Sequence, residues 1–415
     1  MQAAASTAMG SKRKGGQPSV KTCGTDGLPP GFLGLMSEQY GAETASGLCH
    51  ALMHSEPETS IRINRRKLDI ELPLDRVPWC SDAYYLAARP KFTFDPLLHA
   101  GAYYVQEASS MYVAEMVCKY AESGVKRPLA ALDLCAAPGG KSMLLAGLLH
   151  EGSTLISNEA IPKRAHILSE NMQKWTRMPH GDYPVRNVVS NNNPADFHAF
   201  TGTIDLLLAD VPCSGEGMFR KDRQAVKEWS VEAVATCQAR QRAIVGDAWH
   251  VLRPGGLLIY STCTFNRYED EDNARWICQT LGGELLEERH FLPGRDRGEG
   301  FYAAAIRKHE AHDPASGVAS LDAAISTLNV MPKAFDIVEG TPHVELSYQD
   351  AVGYLRREAV RVEAPAGMVL LCHRGLILGP GKCVGNRINN LYPTEWRIRS
   401  GHAAPFCITD LLAGS

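Results

Sequence analysis

Short apolar runs alternate with longer helical patterns between residue 128 and about residue 308. Five runs are predicted to be buried strands: 129–134, 154–157, 185–190, 204–209 and 257–260. Three stretches are predicted to be helices: 141–149, 162–175 and 231–252. This alternation is typical of a parallel, doubly wound α/β sheet. It constrains the fold most, because an open α/β sheet carries its chemistry in the loops after the carboxyl ends of its strands.

The rest of the chain divides around this predicted catalytic domain, which we place at 126–310. The other predicted parts are a disordered extension, an N-terminal α+β extension, a linker and a small C-terminal α+β domain, at 1–27, 28–125, 311–334 and 335–415. A chain of 415 residues is long for a single core, so several domains are expected. The first stretch carries the basic cluster 12–14, which fits a disordered tail, a nuclear address or a tail that contacts RNA.

Charge and cysteine usage exclude several classes of protein. The net charge of -3 gives no overall bias toward nucleic acid, so any such surface has to be local. No apolar run approaches the roughly 20 residues of a membrane helix. The 12 cysteines include no Cys-x-x-Cys pair, which argues against a zinc ribbon or a thioredoxin-like motif. Without a signal peptide, we expect reduced thiols in a cytoplasmic protein that binds no metal.

The turn after the first strand, 133–142 (DLCAAPGGKS), is rich in glycine and small residues. Such a turn lets a ligand approach the backbone at a helix amino terminus. A phosphate-binding loop would need glycine where Cys135 stands, so a nucleotide triphosphatase is disfavoured, and the dinucleotide fingerprint is absent too. Glu159 ends the second strand and can bind two ribose hydroxyls. The alternative for Glu159 is a solvated carboxylate.

Two cysteines follow neighbouring strand-like runs in distinctive settings. Cys213 lies in 210–215 (DVPCSG) after the run 204–209, and Cys263 lies in 260–265 (YSTCTF) after the run 257–260. A free cysteine is usually a small buried hydrophobe. Two thiols at the ends of strands, downstream of a glycine-rich turn, instead indicate a reaction that needs a soft nucleophile.

Together these motifs make the segment from about 28 to 308 resemble the RNA (cytosine-5) methyltransferase family of Nop/Sun type, and above all its RsmF-like bacterial branch. The resemblance is carried by 106–111 (QEASSM), 132–142, 210–221 (DVPCSGEGMFRK), 260–265 with Asn273 following, and 298–302 (GEGFY). It implies a Rossmann-like methyltransferase sheet, an N-terminal RNA-binding subdomain and a small C-terminal PUA-like RNA-binding domain.

The resemblance also implies an S-adenosylmethionine site. The residues that it assigns to the cofactor are Cys135, Ala136, Ala137, Pro138, Gly139, Gly140, Lys141, Glu159, Arg164, Asn193 and Asp210. The family usually has aspartate where Asn193 stands, near the adenine amine. Asparagine can still accept that hydrogen bond through its carbonyl, but it lacks the charge.

In this family the target carbon, cytosine C5, becomes nucleophilic only after a thiolate adds at C6. The resemblance assigns that attack to Cys263 and assistance with release to Cys213. Asp210 would hydrogen-bond the base and stabilise its protonated N3, because a carboxylate suits positive charge that develops in a dry pocket. Basic residues beside an aromatic, at 218–223, suit an RNA backbone, although a solvated charge cluster is the alternative.

We therefore predict a monomeric enzyme that makes 5-methylcytosine in RNA, most simply in 16S ribosomal RNA, free or within the small subunit, and that contacts no membrane. Three alternatives remain open at this point. The chain could be a non-catalytic ribosome-assembly factor on the same fold, although a binding module needs no nucleophile. It could methylate transfer RNA, which the catalytic motifs do not exclude. It could also be a DNA cytosine methyltransferase, whose Pro-Cys nucleophile would make Cys263 dispensable.

Overall fold

The structure, a computed structural model, describes residues 27–121, 127–310, 320–401 and 405–412. The basic cluster 12–14 and the extension predicted before residue 27 lie outside these ranges. Among the described helices, none combines the length and the apolar composition that a membrane crossing requires.

The N-terminal part is a helical pair followed by a four-stranded sheet with the order β2-β3-β1-β4. Its elements are α1 (Phe32–Tyr40), α2 (Ala42–His54), β1 (Thr59–Ile63), β2 (Arg76–Val77), β3 (Cys80–Leu86), α3 (Pro96–His99) and β4 (Tyr103–Val105). The helix α4 (Tyr112–Tyr120) follows and packs its apolar side into the core of the next sheet. The N-terminal part is therefore continuous with the catalytic domain.

The catalytic domain contains a seven-stranded sheet with the order β10-β11-β9-β8-β5-β6-β7. Its strands are β5 (Ala130–Asp133), β6 (Thr154–Asn158), β7 (Arg186–Ser190), β8 (Ile204–Asp210), β9 (Leu252–Thr262), β10 (Gly283–Phe291) and β11 (Phe301–Lys308). Its helices are α5 (Gly140–Leu148), α6 (Pro162–Thr176), α7 (Arg223–Glu228), α8 (Val231–Ala248) and α9 (Glu271–Trp276). Each predicted strand and helix of this region is present.

The five predicted strands are parallel, and two further strands that were not predicted add an antiparallel edge. Strands β7, β6, β5, β8 and β9 are parallel, whereas β11 runs antiparallel to both β9 and β10. The connection 292–300 between β10 and β11 is shorter than the crossover that a parallel pair needs, so these strands form a hairpin. Strand β9 is also longer than predicted, because Leu252 already pairs with Ile204 of β8 ahead of the Pro254 and Gly255 turn residues.

The C-terminal part is a second small sheet with the order β12-β13-β14-β15. Its elements are α10 (Leu321–Ile325), β12 (His343–Glu345), α11 (Tyr348–Leu355), β13 (Gly367–His373), β14 (Leu376–Val384) and β15 (Arg387–Asn390). Within the predicted linker 311–334, the described residues include α10. Its Ala324 and Ile325 are buried against the catalytic sheet, so this stretch packs as part of the domain.

The N-terminal and C-terminal sheets share one hydrophobic core. Asp95, which precedes α3, is fully buried and accepts hydrogen bonds from the Ile408 N–H (2.7 Å) and the Tyr103 hydroxyl (2.9 Å). The Tyr348 hydroxyl of α11 donates to the Phe94 carbonyl at 2.9 Å. These contacts hold the two flanking domains together on one side of the catalytic sheet.

Candidate active site

The two cysteines singled out in the sequence meet at the carboxyl ends of neighbouring strands. Strands β8 and β9 pair in parallel, with Asp210 opposite Ser261 in the register. Cys213 follows β8 in the Cys213 loop (211–222), and Cys263 follows β9 in the Cys263 loop (263–270). Their Sγ atoms lie 3.2 Å apart, close enough for one thiol to donate a hydrogen bond to the other.

This hydrogen bond couples the ionisation of the two thiols. It raises the pKa of Cys213 well above the usual thiol value, and burial of Cys213 raises that pKa further. The Cys213 thiol therefore keeps its proton and can donate it toward Cys263. A thiolate on Cys263 would be stabilised by this donor.

The backbones of the two cysteine loops are in direct contact. The Gly217 N–H donates to the Cys263 carbonyl at 2.8 Å. A Cβ at position 217 would lie 2.8 Å from the Gly300 carbonyl oxygen and 2.9 Å from that of Cys263, so only glycine fits there. On the other side of Cys263, the Thr262 and Thr264 hydroxyls donate to the buried Asp270. The position of Cys263 is thus fixed from both sides.

Asp210 and Lys141 join the thiols to the glycine-rich turn. Lys141 Nζ lies 2.9 Å from Asp210 Oδ2, and the Ser261 hydroxyl donates to Asp210 Oδ1 at 2.8 Å. Burial by itself would lower the pKa of Lys141, but the charge and hydrogen bond of Asp210 outweigh burial and raise it. A negative charge on Cys263 would raise the pKa of Lys141 as well. Lys141 is therefore a permanent cation beside the reactive groups.

The glycine-rich turn forms a close-fitting cradle between β5 and α5. Gly139 has a φ of 116°, and it is the residue before the first turn of α5. A Cβ on Gly140 would meet the Tyr104 ring at 3.3 Å and the Gln106 amide at 3.4 Å. Arg164 holds the turn from outside by donating to the Ala137 carbonyl at 2.8 Å. Cys135 packs within the turn, where burial raises the pKa of its thiol.

Glu159 lies beside this cradle at the end of β6. Its side chain is only 5% exposed, and Oε1 accepts a hydrogen bond from the Ile161 N–H at 2.9 Å. Oε2 lies 3.1 Å from Arg164 Nη1 without hydrogen-bond geometry, so that buried oxygen accepts no hydrogen bond within the described residues. A buried carboxylate oxygen without a donor fits a ligand hydroxyl.

Ile161 is a neighbour of this site that sequence reasoning missed. Its apolar side chain is 51% exposed two residues after Glu159, and its backbone N–H donates to the Glu159 carboxylate. An apolar residue shortly after an acidic strand end is the signal that could have found it. Asn193 follows β7 and is exposed; its backbone N–H and the Asp196 carboxylate form part of a capping box at the start of a short 3-10 helix.

The basic residues of 218–223 do not form one solvated cluster. Arg220 is 5% exposed and pairs with Glu299 at 2.9 Å. It also donates to the Ser55 hydroxyl at 2.7 Å, so it ties the Cys213 loop to the end of α2. Its interaction with an RNA backbone, one of the two readings of the sequence, is not available in this arrangement. Lys221 remains partly exposed beside Glu299.

One group of potential metal ligands occurs among the described residues, behind the Cys263 loop. The ligand atoms of Asp270, Glu271 and His290 lie within 4.8 Å of one another. Asp270 already accepts hydrogen bonds from two threonines, and His290 Nε2 lies 3.0 Å from Glu271. These side chains thus have partners within the protein, and the predicted absence of a metal stays a prediction.

Five parallel strands with a glycine-rich turn after the first, an acid after the second and cysteines in the loops after the fourth and fifth have the arrangement of a Rossmann-like methyltransferase fold. Three family models match in chain order: the N-terminal domain of 16S rRNA methyltransferase RsmF at 28–108, 16S rRNA methyltransferase RsmB/F at 126–307, and the methyltransferase RsmF PUA domain at 341–398. In three consecutive segments the chain is therefore similar to 16S rRNA methyltransferases of the RsmB/F type. The predicted resemblance and the three-part architecture are confirmed.

Curated relatives support the same family. Ribosomal RNA small subunit methyltransferase F of Aeromonas salmonicida is 32% identical over 61% of this chain and 58% of its own length. The protein of the same name from Citrobacter koseri is 31% identical over 69% of this chain and 64% of its own length. The chain thus spans about six-tenths of the length of these relatives.

Among solved structures, NSun6 from Pyrococcus horikoshii with SFG has a TM-score of 0.57 and 18% identity, over 69% of this chain and all of that chain. A methyltransferase homolog protein from the same organism has a TM-score of 0.54 and 24% identity, over 68% of this chain and all of that one. These similarities establish the fold. The roles of the individual site residues, the monomeric state and the cytoplasmic location stay predictions.

Proposed function

We propose that this chain transfers a methyl group from S-adenosylmethionine to C5 of a cytosine in RNA, with 16S rRNA as the substrate. The observation that carries the proposal is the 3.2 Å separation of the Cys213 and Cys263 thiols at the strand ends. An unactivated cytosine C5 is a poor nucleophile, so its methylation requires covalent activation and a separate group that assists release. A pair of adjacent thiols beside a carboxylate meets both requirements.

The cradle and its surroundings fit S-adenosylmethionine. Glu159 Oε2 accepts no hydrogen bond within the described residues and can accept a ribose hydroxyl, and the exposed Ile161 side chain can cover one face of the adenine. Because Gly139 and Gly140 carry no side chain, a ligand can approach the protein backbone closely at the start of α5. When bound, S-adenosylmethionine supplies an electrophilic methyl group attached to a positively charged sulfur. Residues 135–141, Arg164 and Asn193 complete the proposed contacts.

Cys263 is the proposed nucleophile. Its thiolate adds to C6 of the cytosine, an S–C6 bond forms, and the electrons of the C5–C6 double bond move toward C5 and N3. The Cys213 thiol proton and the Lys141 ammonium stabilise the thiolate before attack. Asp210, at the end of β8, holds the protonated N3 edge of the base through its partly exposed carboxylate.

Cys213 is the proposed base in the release step. Once Cys263 is bonded to C6, the hydrogen bond and the charge by which Cys263 raises the Cys213 pKa are gone, so the Cys213 thiol can release its proton to solvent water and act as a thiolate base. It takes the proton from methylated C5, the C5–C6 double bond re-forms, and the S–C6 bond breaks with its electrons returning to Cys263. The target base has to leave its stack to reach these groups. The N-terminal and PUA domains would bind the surrounding RNA.

Two single substitutions test the mechanism. Cys263→Ala is expected to be inactive and to form no covalent complex with RNA, because no nucleophile remains. Cys213→Ala is expected to accumulate a covalent protein–RNA complex, visible as a band that resists denaturing electrophoresis. Cys278→Ala, which changes a cysteine behind the sheet, is the matched control and should retain activity. The reverse pattern in the two site variants would refute the assignment of roles, and full activity in both would refute the mechanism.

The substrate is tested separately by mapping 5-methylcytosine in RNA from cells with and without the gene. We expect one position of 16S rRNA to lose the modification. Loss confined to transfer RNA, or to DNA, would overturn the proposed substrate while leaving the chemistry intact.

A further inference from the structure

Two buried carboxylates cross between the cysteine loops in opposite directions. Glu216, on the Cys213 loop, accepts the backbone N–H groups of Phe265 (2.6 Å) and Asn266 (3.1 Å) on the Cys263 loop. Glu269, on the Cys263 loop, accepts the N–H of Ser214 (3.0 Å), directly after Cys213. Glu216 therefore holds the backbone two residues after Cys263, and Glu269 holds the backbone one residue after Cys213.

The Asn266 side chain joins these two carboxylates. Its Nδ2 atom donates to Glu216 Oε1 at 2.9 Å and to Glu269 Oε1 at 2.8 Å. Trp229 Nε1 donates to Glu216 Oε1 at 2.9 Å, and Gln241 Nε2 donates to Glu269 Oε2 at 2.6 Å. Glu216, Glu269 and Asn266 are completely buried. Every carboxylate oxygen of the pair thus has at least one donor.

Such an arrangement is costly for folding. Burial first, and then repulsion from Glu269, raise the pKa of Glu216 to about 7. Burial likewise raises the pKa of Glu269. Apolar residues of similar volume would often hold two loops together equally well or better. What apolar contacts cannot supply is directional control over individual backbone N–H groups.

We propose that Glu216 and Glu269 are positioning residues that set the separation of the Cys213 and Cys263 thiols. The inference rests on the proposed function in assigning the catalytic work to these thiols. Neither carboxylate is hydrogen-bonded to a thiol, and both hold the thiols through the Ser214, Phe265 and Asn266 backbone. The charge of Glu269 also raises the pKa of Cys213.

A glutamine substitution tests this role sharply. At both positions, the two carboxylate oxygens face donors on both sides. A glutamine amide has one oxygen and one NH₂ group, so in either orientation its NH₂ meets a donor. At position 216 this removes at least one cross-loop hydrogen bond in both orientations. At position 269 it removes either the cross-loop bond from Ser214 or the bond from Asn266 that joins the two carboxylates. Glu216→Gln and Glu269→Gln therefore keep the volume but loosen the loops.

The readout is the rate at which the two thiols form a disulfide, which needs no methyltransferase activity. Fully reduced protein is treated with hydrogen peroxide, and the Cys213–Cys263 disulfide is followed by mass spectrometry. Two thiols lose two electrons and two protons, and the peroxide is reduced to water. We expect both glutamate variants to form the disulfide at least about tenfold more slowly than the wild type, since small displacements of reacting atoms have large kinetic effects.

Asp95→Asn is the matched control. Asp95 is also a fully buried carboxylate that accepts backbone N–H groups, from Leu97 (2.9 Å) and Ile408 (2.7 Å), but it joins the flanking domains. This variant should lose stability and keep the wild-type rate of disulfide formation. Wild-type rates in both folded glutamate variants would overturn the positioning role.

Two further measurements keep the inference falsifiable. In methyl transfer, both glutamate variants should lower kcat with an unchanged KM for S-adenosylmethionine; an inactive wild-type protein would refute the proposed function and leave the disulfide readout valid. If the variants do not fold, hydrogen exchange on the wild type decides. The Ser214, Phe265 and Asn266 amides should exchange as slowly as those of β8, and exchange at rates typical of open loops would overturn the proposal.

Discussion

Lys141 Nζ lies 2.9 Å from Asp210 Oδ2, and this ion pair links the glycine-rich turn to the end of β8. The Lys141 side chain is 15% exposed and that of Asp210 31% exposed, so the pair sits at the edge of the solvent. One charged contact therefore connects the proposed cofactor cradle to the proposed base-binding carboxylate. Lys141 is assigned to the cofactor by the resemblance, and the structure adds Asp210 as its partner.

We expect Lys141→Met to lower the single-turnover rate of methyl transfer by about 10²-fold. The substitution keeps most of the side-chain volume, but it removes the cation beside Asp210 and the Cys263 thiolate. Rapid-quench kinetics with saturating RNA and cofactor would measure the effect. Lys333→Met, at an exposed lysine far along the chain, is the control, and an equal rate in both variants would contradict the role of Lys141.

Glu159→Gln should weaken binding of S-adenosylhomocysteine by about thirtyfold, or about 2 kcal/mol, because a hydrogen bond to a charged acceptor becomes a neutral one. Isothermal titration calorimetry gives the dissociation constant directly. Glu151→Gln, at an exposed acid just before β6, should bind as the wild type does. Unchanged affinity in Glu159→Gln would remove Glu159 from the cofactor site.

Asp133 introduces a pH dependence into the stability of the fold. Burial raises the pKa of its carboxyl from the usual 3.8 to about 7, and Ser142, whose hydroxyl donates at 2.6 Å, only partly opposes this. Between about pH 4 and pH 7 the folded state therefore binds more protons at this site than the unfolded chain does. The contribution of Asp133 to the free energy of unfolding falls as pH rises through that window.

Asp133→Asn should lack this pH-dependent contribution to the free energy of unfolding. Relative to the variant, the wild type is expected to lose up to about 4 kcal/mol of unfolding free energy between pH 4 and pH 7.5. Denaturant titrations at several pH values measure the difference. Asp182→Asn, at an exposed acid, should follow the wild-type curve, and parallel curves for Asp133→Asn would show that Asp133 is ionised in the folded state.

Gly300→Ala should destabilise the protein by more than about 3 kcal/mol. The φ of Gly300 is 109°, and a Cβ there would overlap the Phe265 ring beneath the Cys263 loop. Gly340→Ala separates the two causes, since Gly340 has a φ of 79° with no atom within 4 Å of a built Cβ, and it should cost only about 1 kcal/mol. Thermal unfolding of both variants provides the comparison, and equal shifts in Tm would mean that the Phe265 contact carries no energy.

Much of the fold was predictable because its periodicities are local. The five parallel strands were predicted from short apolar runs. Helices such as α6 were predicted from helical spacing and, for α6, from a proline in the first turn. The antiparallel edge was not predictable, because the direction of β11 depends on the short connection from β10 and on pairing with β9, whose partner residues lie 40 to 50 positions earlier. The sequence also did not predict that α10 packs on the sheet, because α10 has few apolar residues.

The sequence by itself determined which side chains are candidates for the chemistry of this protein. Reactivity belongs to side chains, so the residue types alone identify candidate binding and catalytic residues. These are the glycine-rich turn, Glu159 and the two cysteine motifs. Only the tertiary structure decided how these groups meet, which includes the 3.2 Å between the thiols, the burial of Arg220 and the exposure of Ile161. The physical reason is that distance, burial and electrostatic partnership arise from segments far apart in the chain. No local pattern encodes that Glu216 and Glu269 would each hold the other's loop.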